Sequence, residues 1–213
     1  MEVFVGLAVI DCGTRPSRFR RVRYLPVLLG VLTAHALIPS AYAQESVVGL
    51  DAAQTRIDFT LSDVLHTVHG MFKLKSGTIR FDPSTGKASG AIVVDATSGE
   101  SGNGSRDSKM HREILESSKF IEIVFTPDQV KGALSPQGSS RMEVSGQFHL
   151  HGQDHELTLP MDVQADGRQV QLTARFIIPY VQWGLKNPST FILRVSDKVT
   201  IDIHAVGHME VPR

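Results

Sequence analysis

From Gly49 onward, apolar and polar residues alternate along almost every run, and one short helical pattern interrupts them. Ile57, Phe59 and Leu61 interleave with Asp58, Thr60 and Ser62. The same period of two returns at Met142/Val144, Phe148/Leu150, Leu157/Leu159/Met161/Val163, Val170/Leu172/Ala174/Phe176 and Val199/Ile201/Ile203. Successive strand side chains point to opposite faces, so each run offers one apolar and one polar face. Many such strands in sequence bury the apolar face only by closing into a barrel or stacking as a sandwich. The chain is therefore expected to be all-β, and its function turns on what the enclosed face holds.

Strands are expected over 57–62, 68–75 and 78–82, with Gly77 as punctuation between the last two. Asp82-Pro83-Ser84-Thr85-Gly86 is a turn signal: Asp and Ser bond the local backbone, Pro fixes φ and Gly takes positive φ. Residues 89–96 read as a strand that is apolar on both faces through Ile92, Val93 and Val94, which implies a covered position. A Gly/Ser/Asn loop over 98–107 leads into one short helix, capped by Ser105 and ending near residue 117. Asp107 falls in its first turn, Met110, Ile114 and Leu115 share one side, and so short a helix needs docking onto the sheet. A strand over 121–126 is expected to end at Pro127. Hairpins follow at His151-Gly152-Gln153-Asp154 and Asp166-Gly167-Arg168. An irregular segment over 177–188 carries Tyr180 and the sole Trp183, and strands over 191–195 and 198–206 finish the sheet. No internal repeat or linker divides residues 44–213, which read as one domain.

The chain begins with a leader. Arg15, Arg18, Arg20, Arg21 and Arg23 precede an apolar stretch over 25–39, and Ala41-Tyr42-Ala43 presents the small residues that a signal peptidase reads. Residues 1–43 are thus expected to be a secretory signal cleaved after Ala43. The apolar stretch is too short to span a bilayer comfortably. The whole chain holds 22 basic and 22 acidic residues; the leader takes five arginines with Glu2 and Asp11, leaving a net charge of −3. No basic stripe remains for nucleic acid or an anionic lipid surface. The single Cys12 also departs, so no disulfide supports the fold. No second long apolar run follows, so stable membrane insertion is not expected.

Candidate chemistry is sparse. Gly99-Glu100-Ser101-Gly102-Asn103 approaches G-x-S-x-G, but Asn replaces the last Gly and the context is a polar loop, not a strand-to-helix elbow. Two histidine clusters stand out: His66 with His69, and His149 with His151 and His155. His149 and His151 lie two apart on a predicted strand, so both imidazoles would point the same way and suit a metal. Solvated or structural histidines near a turn are the competing reading, and no cofactor is called for. Arg106-Asp107 reads as a capping pair or as a guard at a cavity mouth.

The order Gly77-Thr78-Ile79-Arg80-Phe81-Asp82-Pro83, a Ser-rich loop, Arg106-Asp107, a short helix, Ile123-Val124-Phe125, Val144-Ser145-Gly146 and Leu150-His151-Gly152 resembles the YceI-like family. The resemblance covers about residues 49–206. It implies an exported, periplasmic, non-enzymatic protein: an extended lipocalin-like antiparallel β-barrel around a long apolar tunnel, with one short helix inserted after the first few strands. Its implied partner is a long-chain lipid, polyisoprenoid or fatty-amide in type, and a homodimer is compatible with it. Residues 98–105 and 180–186 depart from the family's usual pattern and are expected to border the tunnel.

On this reading Phe59, Leu61, Phe72, Phe81, Phe125, Phe148, Leu159, Phe176 and Ile203 are the candidate lining, and Arg106, Tyr180 and Trp183 the candidates for the cavity mouth. A lipid tail gains about 0.8 kcal/mol per buried methylene, so a sixteen-carbon tail contributes on the order of 12 kcal/mol before association costs. The same residues would equally suit a packed sandwich core. The remaining alternative is a metal-binding protein or metal-dependent enzyme built on the two histidine clusters.

Overall fold

The computed structural model describes residues 45–62, 66–190 and 194–210. The leader and most of the strand expected over 191–195 lie outside the described residues. Nine antiparallel strands form one sheet: β1 Ser46–Leu50, β2 Arg56–Ser62, β3 Thr67–Phe81, β4 Ala88–Glu100, β5 Glu122–Lys131, β6 Gln137–Leu150, β7 Gln153–Asp166, β8 Gln169–Ile178 and β9 Val199–Glu210. Neighbours in sequence pair from β2 through β9, and β9 returns to β2, which closes an eight-membered ring. The expected all-β barrel is thus present, and a sandwich is not.

β1 and β2 occupy one slot of the ring, end to end. β2 pairs with β3 at residues 67–72 and with β9 at 200–204. β1 pairs with the same two strands further along, Ser46 opposite Phe81 and Val47 opposite Glu210. The tight turn between them is held by Asp51, whose carboxylate accepts from the backbone of Ala53 at 2.8 Å. The alternation does not announce β1, because Ser46–Leu50 carries only one buried residue, Val48.

Several expected boundaries shift for identifiable reasons. Gly77 does not interrupt β3, which runs unbroken for 15 residues; its missing side chain instead admits Leu50, whose Cδ1 would sit 2.8 Å from a Cβ there. Pro127 does not end β5. It lies at a register shift against β6, where the absent N–H costs no ladder bond. β4 is half-buried at Ile92, Val93 and Val94 and reaches Glu100, beyond the expected residue 96. The predicted turns hold. Asp82 accepts from the Ser84 backbone and the Ser84 and Thr85 hydroxyls. His151-Gly152 (φ 52° and 77°) forms a two-residue hairpin turn, and Gly167 (φ 62°) serves the next.

The helix α1 spans Gly104–Lys109 and passes into a π-helical stretch, Met110–Ile114. Its cap is Asn103, not Ser105: the Asn103 Oδ1 accepts the Arg106 N–H at 3.1 Å. His111 fixes this segment to the sheet. One ring nitrogen lies 2.7 Å from the Gly99 carbonyl of β4 and the other 2.8 Å from the buried Ser117 hydroxyl. Met110, Ile114 and Leu115 pack on the barrel interior, as the helical pattern predicts.

Candidate functional site

The interior of the barrel is filled at one end and hollow at the other. On β6, Met142 and Val144 face a void of only about 30 Å³, shared with Ile79 and Phe81 of β3 and Val170 and Leu172 of β8. Further along the same strands, Phe148 and Leu150, Val68 and Phe72, and Ile178 line a cavity of about 540 Å³. The smaller void has room for little more than a water, whereas the larger falls within the roughly 300–1,000 Å³ of small-molecule sites. The transition lies between Val144 and Phe148, where Gly146 faces Pro127 and Leu157 across the two ladders.

The candidate lining residues therefore divide. Phe59, Leu61, Phe72 and Phe148 line the large cavity, and Phe81 lines the small void at the filled end. Phe125, opposite Phe148, and Leu159, opposite Val144, are buried in the core, and Phe176 and Ile203 pack against it partly exposed; none of the four lines either space. Sequence reasoning missed Ile123, Leu185, Val195 and Val199 of the cavity wall. Leu185 sits on irregular chain, where no periodicity marks the inward side.

Two segments cover the hollow end. The first is Ser101–Lys109: Ser101, Asn103, Ser105, Arg106 and Lys109 all border the cavity, and Asn103, Ser105 and Arg106 are solvent-exposed, so the opening lies here. Arg106 donates from Nε to the Ser101 hydroxyl at 2.7 Å and from Nη2 to the Ser101 carbonyl at 2.9 Å. Ser101 in turn donates through its N–H and its hydroxyl to the Asp107 carboxylate. The second segment follows β8. β7 and β8 pair only from Met161 to Asp166 on the β7 side, so they separate toward the hollow end, and residues 179–188 pack there. Tyr180 is buried, lines the cavity and donates to the Ser196 carbonyl at 2.6 Å. Burial, with the nearby Asp197 charge, pushes its phenol up to about 12. Trp183 does not border the cavity. It stacks on His155 at 4.2 Å with the rings nearly parallel and lies 5.7 Å from Phe148, supporting that wall from behind.

The histidines do not assemble. His149 bonds Asp154 at 2.7 Å, and His69 lies 3.2 Å from the Thr60 hydroxyl. His155 is stacked on Trp183. His151 sits in the hairpin turn with positive φ instead of on the strand, so its ring leaves the face of His149 and packs against Phe120 at 4.4 Å. Among the described residues, no group of three or more His, Cys, Asp or Glu is placed to hold a metal ion.

Solved structures share the architecture. BcnA of Burkholderia cenocepacia superposes with a TM-score of 0.61 at 17% identity, over 74% of this chain and 98% of its own. A polyisoprenoid binding domain from Saccharophagus degradans, implicated in plant cell wall breakdown, gives 0.58 at 17% identity over 78% and 98%. The YCEI protein of Campylobacter jejuni gives 0.54 at 15% identity over 68% and 86%. At these identities the likeness is one of fold. A search of curated proteins by sequence finds no match. The sequence pattern of the YceI-like domain matches residues 49–207, well over half of the chain. With the closed antiparallel barrel and its inserted helix matching its solved neighbours, the chain belongs to the YceI-like domain family.

Proposed function

We propose that this protein is an exported, non-catalytic carrier that holds a long-chain lipid, polyisoprenoid or fatty-acyl in type, in the hollow end of its barrel. The observation that carries this reading is the cavity of about 540 Å³ walled by Phe59, Leu61, Phe72, Phe148, Ile178 and Ile201. A packed core leaves few voids larger than a water, so so large an apolar space is expected to take an apolar occupant. The polyisoprenoid-binding domain among the structural neighbours supports the same ligand class. Residues 1–43 act as the cleaved leader, with the barrel domain released to the periplasm from Gln44 onward.

Native mass spectrometry of the protein purified from its periplasmic fraction tests both parts. A co-purifying lipid of defined mass, on a chain beginning at Gln44, is the expected result. A chain that carries no lipid and takes up neither isoprenoid nor acyl probes would remove the carrier reading. A chain that starts at Met1 in the cytoplasm would remove export.

A further inference from the structure

Apart from Tyr180, whose hydroxyl is engaged, the polar groups around the cavity come mainly from one segment, Ser101–Lys109. Arg106 and Lys109 both border it, and the amide of Asn103 and the hydroxyl of Ser105 stand beside them. Among the described residues neither cation is ion-paired; Lys109 reaches only the Pro188 carbonyl, at 3.5 Å. Of the nearest acids in sequence, Asp107 accepts from Ser101, and Glu113 accepts from Arg112 at 2.8 Å while also feeling the Lys109 charge without pairing to it. Asn103 spends its oxygen on the Arg106 N–H, which leaves its NH₂ to donate. The rim thus carries two positive charges whose acceptors are all neutral: Arg106 donates to the Ser101 hydroxyl and carbonyl, and Lys109 reaches the Pro188 carbonyl. The opposite end is closed, because Val144, Ile79, Phe81 and Leu172 leave a void of only about 30 Å³.

We infer that the ligand is a single-chain anion whose carboxylate or phosphate sits at Arg106 and Lys109 and whose tail ends at the Phe148 level. This rests on the carrier reading and narrows it. At roughly 30 Å³ per small group, a water's share of liquid volume, 540 Å³ holds on the order of eighteen carbon-sized groups. That is one ordinary acyl tail. A long polyisoprenoid does not fit without unpacking the filled end. Lys109 is half-buried, and a charge-assisted hydrogen bond there is worth about tenfold in affinity, so the head group separates acids from alcohols of the same length.

The test is displacement of a fluorescent apolar probe from the full mature chain by hexadecanoate, hexadecyl phosphate, hexadecanol, a long polyprenyl phosphate and its polyprenol. Hexadecanoate or hexadecyl phosphate is expected to bind at least about tenfold tighter than hexadecanol, and the tighter of the two identifies the head-group chemistry. Added salt weakens the anions and not the alcohol. In Lys109→Met the acid-over-alcohol ratio falls most of the way to one, and a urea midpoint near that of the parent reports that the variant folds. Equal affinity of acid and alcohol in the parent protein, or a long polyprenyl phosphate outcompeting both sixteen-carbon anions, overturns this inference and leaves the carrier reading standing. If no probe of any head group binds, both fall together.

Discussion

At the residue scale, one methyl group separates the present cavity wall from a distorted one. Gly70 of β3 lies directly opposite Phe59 of β2, and the phenyl ring covers it. A Cβ at Gly70 would lie 2.3 Å from Phe59 Cζ and 2.4 Å from the Glu100 carbonyl. The second of these is backbone and cannot swing aside. Gly70→Ala is therefore expected to cost about 1–3 kcal/mol, as overpacking does, and to weaken probe binding by displacing Phe59; a urea midpoint equal to that of the parent would contradict it. His155 offers a second check. Burial against Trp183 lowers its pKa below the ordinary 6.5, partly offset by the Asp154 charge, and its Nε2 is buried without a partner. Because the folded value is depressed, the unfolded chain takes the proton first as the pH falls. Stability is then lost from about pH 6.5 downward until folded His155 itself titrates. His155→Phe keeps a ring on Trp183 and should flatten that part of the acid slope. Parallel slopes in urea denaturation at about pH 7.5 and pH 5 would assign the loss to other groups.

At the element scale, regular strands were legible in the periodicity of the sequence, whereas the covers over 98–105 and 180–186 were expected only from the family resemblance. The period of two identified β2 and β6 to β9 and placed Phe59, Leu61, Phe72 and Phe148 inward, because a pleated strand has only two faces. It carried no depth, so Phe81, Phe125 and Leu159 looked equivalent to them although Phe81 lines the small void and the other two are packed in the core. Leu185 escaped notice because it follows no period, and the histidine pair was misread because a positive-φ turn took His151 off its strand. The segment 179–188 shows what such irregular chain contributes. It packs where β7 and β8 separate, and the Tyr180 hydroxyl ties it to Ser196. Tyr180→Phe removes one buried hydrogen bond and is expected to cost about 1–2 kcal/mol. The phenol is held up to about 12, above its ordinary 10.0, so the folded state keeps a proton that the unfolded chain releases first. This share of stability is whole below pH 10 and fades between about pH 10 and 12. Alkaline denaturation of Tyr180→Phe should lack that decline; an unchanged alkaline limb would mean that the phenol is not what the pH removes.

For the whole molecule, the unequal filling of the barrel predicts unequal sensitivity to mutation. Leu172 at the filled end is buried among Val163, Val170 and Met161, so Leu172→Ala opens a true cavity and should cost about 2–5 kcal/mol. Leu61 already faces open space, so Leu61→Ala loses mainly its transfer term and should cost roughly half as much or less. Similar losses at the two sites, measured by chemical denaturation without ligand, would show that the hollow end is occupied by collapsed side chains. The closed far end has one more consequence. A vessel stoppered at the bottom is a cup and not a pipe: cargo departs by the door through which it came, and a newcomer cannot push it out from behind. Handover is then paced by spontaneous escape alone, and in stopped-flow exchange the release rate of a preloaded tail should stay level however much competitor is added.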